Sequence, residues 1–246
     1  MPVQKIVSKS EKSLKPTQPV VNVFDEKIQF AIQDLLDTMA AEQARLDVLY
    51  PGQGKGIGLA SNQIDYPAER YGADFQIPSI YVLSIRAPRL EVPVPPSVFI
   101  NAEITPLSGK IEQPEGCLSV MGFTGWNVSR YETIKINALN EKGEPVEATV
   151  SGLIAQAHQH EGDHLIGDEY LSRMSFSVGE LRAILDWLVS VQKSGVAAVS
   201  PWLVEAKLQC TAEPDLSAMT VWADHALQKA CLAESAEAVS HAFSSK

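Results

Sequence analysis

Cysteine is sparse in this chain: Cys117, Cys210 and Cys231 form an odd set in 246 residues, with no CxxC spacing. That pattern excludes a disulfide framework and fits a reducing, cytoplasmic setting, where an isolated thiol is a ligand, a nucleophile or core filler. Basic charge is also short, with 20 Lys and Arg against 30 Asp and Glu and a net charge of −10. A sequence-independent grip on DNA or RNA needs clustered cations and is therefore not expected. Long apolar runs are missing as well. The stretch Ile184 to Val191 is interrupted by Asp186, and no segment approaches the ~20 apolar residues of a membrane-spanning helix. Residues 1–16 hold Lys5, Lys9, Lys12 and Lys15 but no Arg and no apolar core. They lack the marks of a secretory leader, and residues 1–20 are expected to form a flexible, solvated arm. No internal repeat is evident.

What is present is ample apolar content, 45% of residues, enough for a substantial core in one domain with an appendage or in two small domains. Asp25 is a plausible cap for a helix through Ile28, Ile32, Leu35, Leu36 and Met39 to about Arg45. Gly52, Gly54, Gly56 and Gly58 then alternate through a loop that reaches Gln63. It matches neither a P-loop, since Lys55 precedes Gly56, nor a dinucleotide fingerprint. Ser79 to Ile85 has the pattern of a buried strand, and Ser97 to Asn101 that of another short one. Between them Pro88, Pro93, Pro95 and Pro96 predict a loop that cannot be a central strand. Alternation over Thr133 to Leu139, a turn at Glu141 to Glu144 and a strand at Val146 to Val150 lead into a helix from about Ser151. Gly167 would stop that helix, and Glu180 to Gln192 and Leu216 to Phe243 predict two more. Helix, strands, then helix is the order of an α+β fold with antiparallel sheets packed around the central helix. The expected organisation is an arm (1–20), a catalytic domain (21–192) and a helical carboxy-terminal extension (193–246) of unassigned role.

The central helix carries His160-Glu161-Gly162-Asp163-His164. Histidines at i and i+4 share one helical face, so both imidazoles can bind one metal ion, and Glu161 between them has the position of a general base. A catalytic site needs a third protein ligand and one open position. The residue three after Gly167, where a third histidine would fall, is Tyr170. Glu180 on the next helix would supply a carboxylate, as in a zinc peptidase, and Cys117 would supply a thiolate. His158, offset by two from His160, faces away and is expected to be structural or exposed.

Three motifs in order resemble those of the peptide deformylases: Gly56-x-Gly58-x-Ala60-x-x-Gln63, Glu115-Gly116-Cys117-Leu118-Ser119 and His160-Glu161-x-Asp163-His164. The resemblance runs from the first helix to about Leu171 or the helix after it. It implies a metallohydrolase that removes the formyl group from the N-terminal methionine of new polypeptides. It further implies that Cys117, His160 and His164 bind one divalent metal, Fe(II) in most of the family, with zinc or nickel as alternatives. Glu161 would be the base, and the Gln63 side-chain amide with the Leu118 N–H would receive the oxyanion. Gly56, Ile57 and Gly58 would let peptide substrate approach, and Gln156, Ala157 and Leu118 would line the methionine pocket. Asp163 would pair with Arg130, and Glu115 would orient a ligand or its loop. Asn62 and Met121 stand where the family often has proline, which bears on substrate preference. A ribosome partner follows from the resemblance alone: residues 193–246 have four Lys against six Asp or Glu, so no basic tail is visible. Oligomeric state is not implied. A deformylase-like domain turned binding protein is the remaining alternative, disfavoured by the intact Gln63, Cys117, Glu161 and histidines.

Overall fold

The computed structural model describes residues 3–7, 15–20, 22–88, 90–194, 204, 207–210 and 216–244. They fall in two compact units, one within Met1–Val7, Lys12–Gln113 and Ser129–Tyr170, the other within Pro114–Val128 and Leu171–Lys246.

In the first unit, α1 (Glu26–Leu49) begins at Asp25, whose carboxylate accepts the Lys27 and Ile28 N–H groups. Such a cap satisfies donors that the first helical turn leaves without partners. The helix runs about one turn past Arg45 and buries Ile32, Leu35, Met39 and Leu46. An antiparallel sheet follows in the order β1-β2-β3-β6-β7, made of Gly58–Ala60, Ile80–Ile85, Val94–Pro106, Thr133–Leu139 and Pro145–Ser151. Every residue of β2 is buried, Ser84 included, so this strand is covered on both faces rather than alternating. A short helix, α2 (Ala68–Tyr71), connects β1 to β2. The helix α3 (Gly152–Leu165) touches all five strands of the sheet. Ala157 and Leu165 pack with Ala60, Tyr81, Leu83 and Ile85, while Ala155 packs with Ile134 and Ile136.

Three expectations change. The alternating glycines do not remain a loop, because Gly58–Ala60 pairs with β2, Gly58 opposite Leu83. Pro95 and Pro96 lie inside β3, a central strand. They are tolerated because pairing with β6 begins only at Ile100 and pairing with β2 is irregular between Leu83 and Ile85. There the missing proline N–H groups cost no ladder bond. The described amino-terminal residues are tied down rather than free: Val7 N–H donates to Gln63 O at 2.8 Å and Thr17 N–H to Leu165 O at 2.8 Å, and Val7 is buried.

The second unit holds the sheet β4-β5-β8. Its strands are β4 (Lys110–Cys117), whose first residues belong to the first unit, β5 (Val120–Tyr131), whose last residues do so too, and β8 (Leu208–Cys210). With them come α4 (Val178–Ser194) and α5 (Leu216–Ser244). The segment after 193 is thus not helical throughout. β8 pairs antiparallel with β5, Phe123 opposite Cys210 and Gly125 opposite Leu208. Three residues are too short for an alternation signal to stand out. Trp222 and Met219 of α5 are buried, and Trp222 meets Phe176 edge to face.

Candidate active site

The motif helix α3 is unusual in burying polar side chains on several faces: Gln156, His158, Gln159, Glu161, Asp163 and His164 are all buried. Burial of polar groups is expensive unless each finds a partner. Arg130 Nη1 donates to Asp163 Oδ2 at 2.6 Å. One turn earlier, Gln159 takes the Tyr131 N–H on Oε1 and gives Nε2 to Tyr131 O, both at 2.9 Å. Residues 130 and 131 of β5 therefore hold α3 at two points one turn apart. On another face the Tyr81 hydroxyl meets His158 Nδ1 at 2.6 Å. Burial pushes the His158 pKa down to about 4, so this imidazole stays neutral near pH 7 and serves as a packed hydrogen-bond partner.

The two remaining histidines stand face to edge, ring centroids 4.9 Å apart. His160 also stacks on Tyr170, 6.1 Å between centroids. Asp168 O lies 3.1 Å from His164 Nδ1. A carbonyl accepts only from a protonated nitrogen, so Nδ1 carries the proton and Nε2 is left with its lone pair for a ligand role. The helix stops as the glycine predicts: Gly167 has φ 80°, and Gly167 N–H returns to His164 O and Asp168 N–H to Asp163 O. That closing pattern needs a left-handed residue after the cap.

Glu161 is buried against β1. A Cβ on Gly58 would collide with the Glu161 carboxylate and come within 2.7 Å of Leu83 Cδ2, so only glycine admits this approach. Gly56 has φ +73°, and its carbonyl accepts from Gln43 Nε2 at 2.6 Å. Ile57, between the two, packs at the edge of the cluster around Leu83. In the 3-10 turn Ser61–Gln63 the Gln63 Oε1 accepts the Ala60 N–H at 2.8 Å. This fixes which end of the carboxamide is the oxygen and directs its N–H groups the other way.

In the second unit, Leu118 and Ser119 form the turn between β4 and β5. The Ser119 N–H points at Cys117 Sγ, 3.4 Å away, and Glu115 is buried. Met121 is exposed on β5. Glu180 is otherwise engaged: it caps α4 through Ser177 N–H at 2.7 Å and meets Lys207 Nζ at 2.8 Å. The Lys207 hydrogen bond first, then that from the Ser177 backbone, hold its carboxyl below the usual value.

Among the described residues, Cys117, His160 and His164 form a group able to hold a metal ion, their donor atoms all within 4.8 Å of one another. One thiolate and two imidazoles suit iron, zinc or nickel, and three protein ligands leave a position open. Such a donor set, with the buried Glu161 on the same helix as the two histidines, is of the kind metallohydrolases use. The family described as polypeptide deformylase matches residues 3–178 of the chain. A peptide deformylase of Aquifex aeolicus is 38% identical over 160 residues, covering 65% of this chain and 80% of that one. Among solved structures, a Legionella pneumophila peptide deformylase superposes with a TM-score of 0.54 at 32% identity over 71% of this chain and 87% of the other. One from Ehrlichia chaffeensis gives 0.57 at 27% identity over 71% and 89%. The chain belongs to the polypeptide deformylase family. It is an enzyme of that class, a hydrolase that removes the N-formyl group from newly made polypeptides.

The residues the motifs did not single out are Gln159 and Tyr170. A lone glutamine before an HExxH run carries no periodic signal, and the sequence marks Tyr170 only as the place where a third histidine would have stood.

Proposed function

We propose that the chain is an Fe(II)-dependent deformylase acting on N-formyl-methionyl peptides in the cytoplasm, with Cys117, His160 and His164 as its metal ligands. The closeness of those three donor atoms is the observation that carries the reading; zinc or nickel would fit the same set. A bound cation supplies Lewis acidity, making water a nucleophile near neutral pH and polarising the formyl carbonyl. Glu161 takes the proton of the attacking water on its carboxylate and delivers it to the departing amine. Formate and a free amino terminus result. The Gln63 side-chain amide and the Leu118 N–H donate to the oxygen that becomes negative, each worth about 3 kcal/mol in the transition state.

Gly56, Ile57 and Gly58 form the edge along which substrate backbone lies. Leu118, Gln156 and Ala157 line the methionine pocket. Arg130 and Asp163 brace α3, and Glu115 steadies the Cys117 turn. Residues 21–192 are the catalytic domain in this reading, with α3 as its central helix, and 193–246 an extension. Purified protein should release formate from formyl-methionyl peptides, and Glu161→Gln should abolish release while metal stays near one ion per chain. Near-normal turnover in that variant would remove Glu161 from the role of base.

A further inference from the structure

We propose that Asn62 is a positioning residue for this reaction, joining Gln63 to the seat of His164; the inference rests on the deformylase reading. Asn62 is 1% exposed and sits in the 3-10 turn immediately before Gln63. The last turn of a helix leaves carbonyls without intrahelical donors, so each needs another partner. On α3, Asp163 O accepts Ile166 and Asp168 N–H groups, and Leu165 O accepts the Thr17 N–H. His164 O accepts the Gly167 N–H and Asn62 Nδ2. The same nitrogen gives its other hydrogen to Lys15 O at 3.0 Å.

A carboxamide nitrogen has two hydrogens, so one side chain makes both bonds at once. Its orientation is settled by those neighbours. Asn62 Oδ1 is buried without a hydrogen-bond partner, yet flipping the amide would set that oxygen against two carbonyl oxygens. The residue beside the proposed oxyanion donor is thereby pinned to the peptide of a proposed metal ligand. Both functional groups are oriented locally as well, Gln63 by the Ala60 N–H and the His164 ring by Asp168 O. Asn62 is the link between these two local settings. Through Lys15 it also draws the amino-terminal stretch into the support of the site.

The test uses the full-length chain loaded with Co(II), comparing Asn62→Leu, Asn62→Thr and Thr17→Val. Thr17 Oγ1 donates to Leu165 O at 3.1 Å, so Thr17→Val loosens the same helix end without touching Gln63. Asn62→Leu removes both bonds, and loss of the one to His164 O should lower kcat about tenfold, with little change in KM. The cobalt absorption band should shift with it, Asn62→Thr should recover part of both, and Thr17→Val should lower Tm alone. Equal losses of Tm in Asn62→Leu and Thr17→Val, with unchanged kcat and cobalt band, would overturn the proposal. If Asn62→Leu does not fold, Asn62→Thr decides: reduced kcat with a shifted band supports the link, and wild-type values of both refute it. If wild-type protein releases no formate, the deformylase reading fails, while the cobalt band still shows whether Asn62 positions His164.

Discussion

Replacing Arg130 with Met should be among the more damaging single changes in the chain. The Arg130 and Asp163 side chains are only 3% and 9% exposed, with 2.6 Å between Nη1 and Oδ2. Unit charges centred ~4 Å apart attract by about 4 kcal/mol at an effective dielectric near 20. Much of that offsets the cost of taking both ions out of water, so the pair's net worth is smaller than the attraction. Removing one partner is another matter, because the desolvation of the other remains. Such changes cost about 3–5 kcal/mol, which for a chain of this size lowers Tm by roughly 6–20 °C.

The assay is urea denaturation of wild type, Arg130→Met, Asp163→Leu and the double variant at fixed metal loading, since a bound ion adds its own stabilisation. The double variant should be more stable than either single one, leaving a coupling of about 2 kcal/mol or more. An internal control is the Arg86 and Asp47 pair, 2.9 Å apart with both side chains 42% exposed. Arg86→Met should cost under about 1 kcal/mol. If Arg130→Met cost no more than Arg86→Met, the buried pair would not be bracing α3.

Gly58→Ala should lower kcat/KM about 100-fold, the usual penalty of displacing a reacting group by ~1 Å, because the new methyl meets the Glu161 carboxylate; normal steady-state kinetics would refute the close packing. Glu180→Gln should leave metal content by elemental analysis unchanged, whereas Cys117→Ser should reduce it; the opposite result would revive a peptidase-like ligand set. Leu208→Asp should cost about 3 kcal/mol or more in chemical denaturation, since Leu208 is fully buried where β8 joins β5, and a carboxylate there has lost its water. A neutral result would mean that the carboxy-terminal segment is dispensable to the fold.

What could be seen in the residues was whatever repeats locally or is chemically rare. Strands β6 and β7 announce themselves because exposure alternates along them, buried Ile134 and Ile136 between half-buried neighbours in β6 and half-buried between exposed residues in β7. Asp25 and Gly167 mark helix ends for reasons contained within a few bonds. The HExxH spacing is legible because helical geometry converts a separation of four into one shared face. What stayed hidden depends on partners far along the chain. Pro95 and Pro96 forbid a strand only where a neighbour would use their N–H groups, and pairing with β6 starts beyond them. Gly58 looks like a flexible residue until Glu161, more than a hundred positions later, is packed against it. Likewise β8 is a strand because β5 offers an edge at Phe123 to Gly125, and its three residues would not be one alone.

The polar residues of α3 show why the site and the fold cannot be separated. An ordinary surface helix has one apolar stripe and leaves its polar side chains to water, so rotation about its axis is restrained only by packing. Here His158 is held by Tyr81 of β2, and Gln159 and Asp163 by Tyr131 and Arg130 of β5. Those tethers leave the helix on different faces, so a rotation or slide that improved one would break another. His160, Glu161 and His164 lie between and beside them in the same two turns. Their directions are consequently set by neighbours on β2 and β5, and a substitution at Gln159 would disturb the two histidines proposed as ligands without touching either ring.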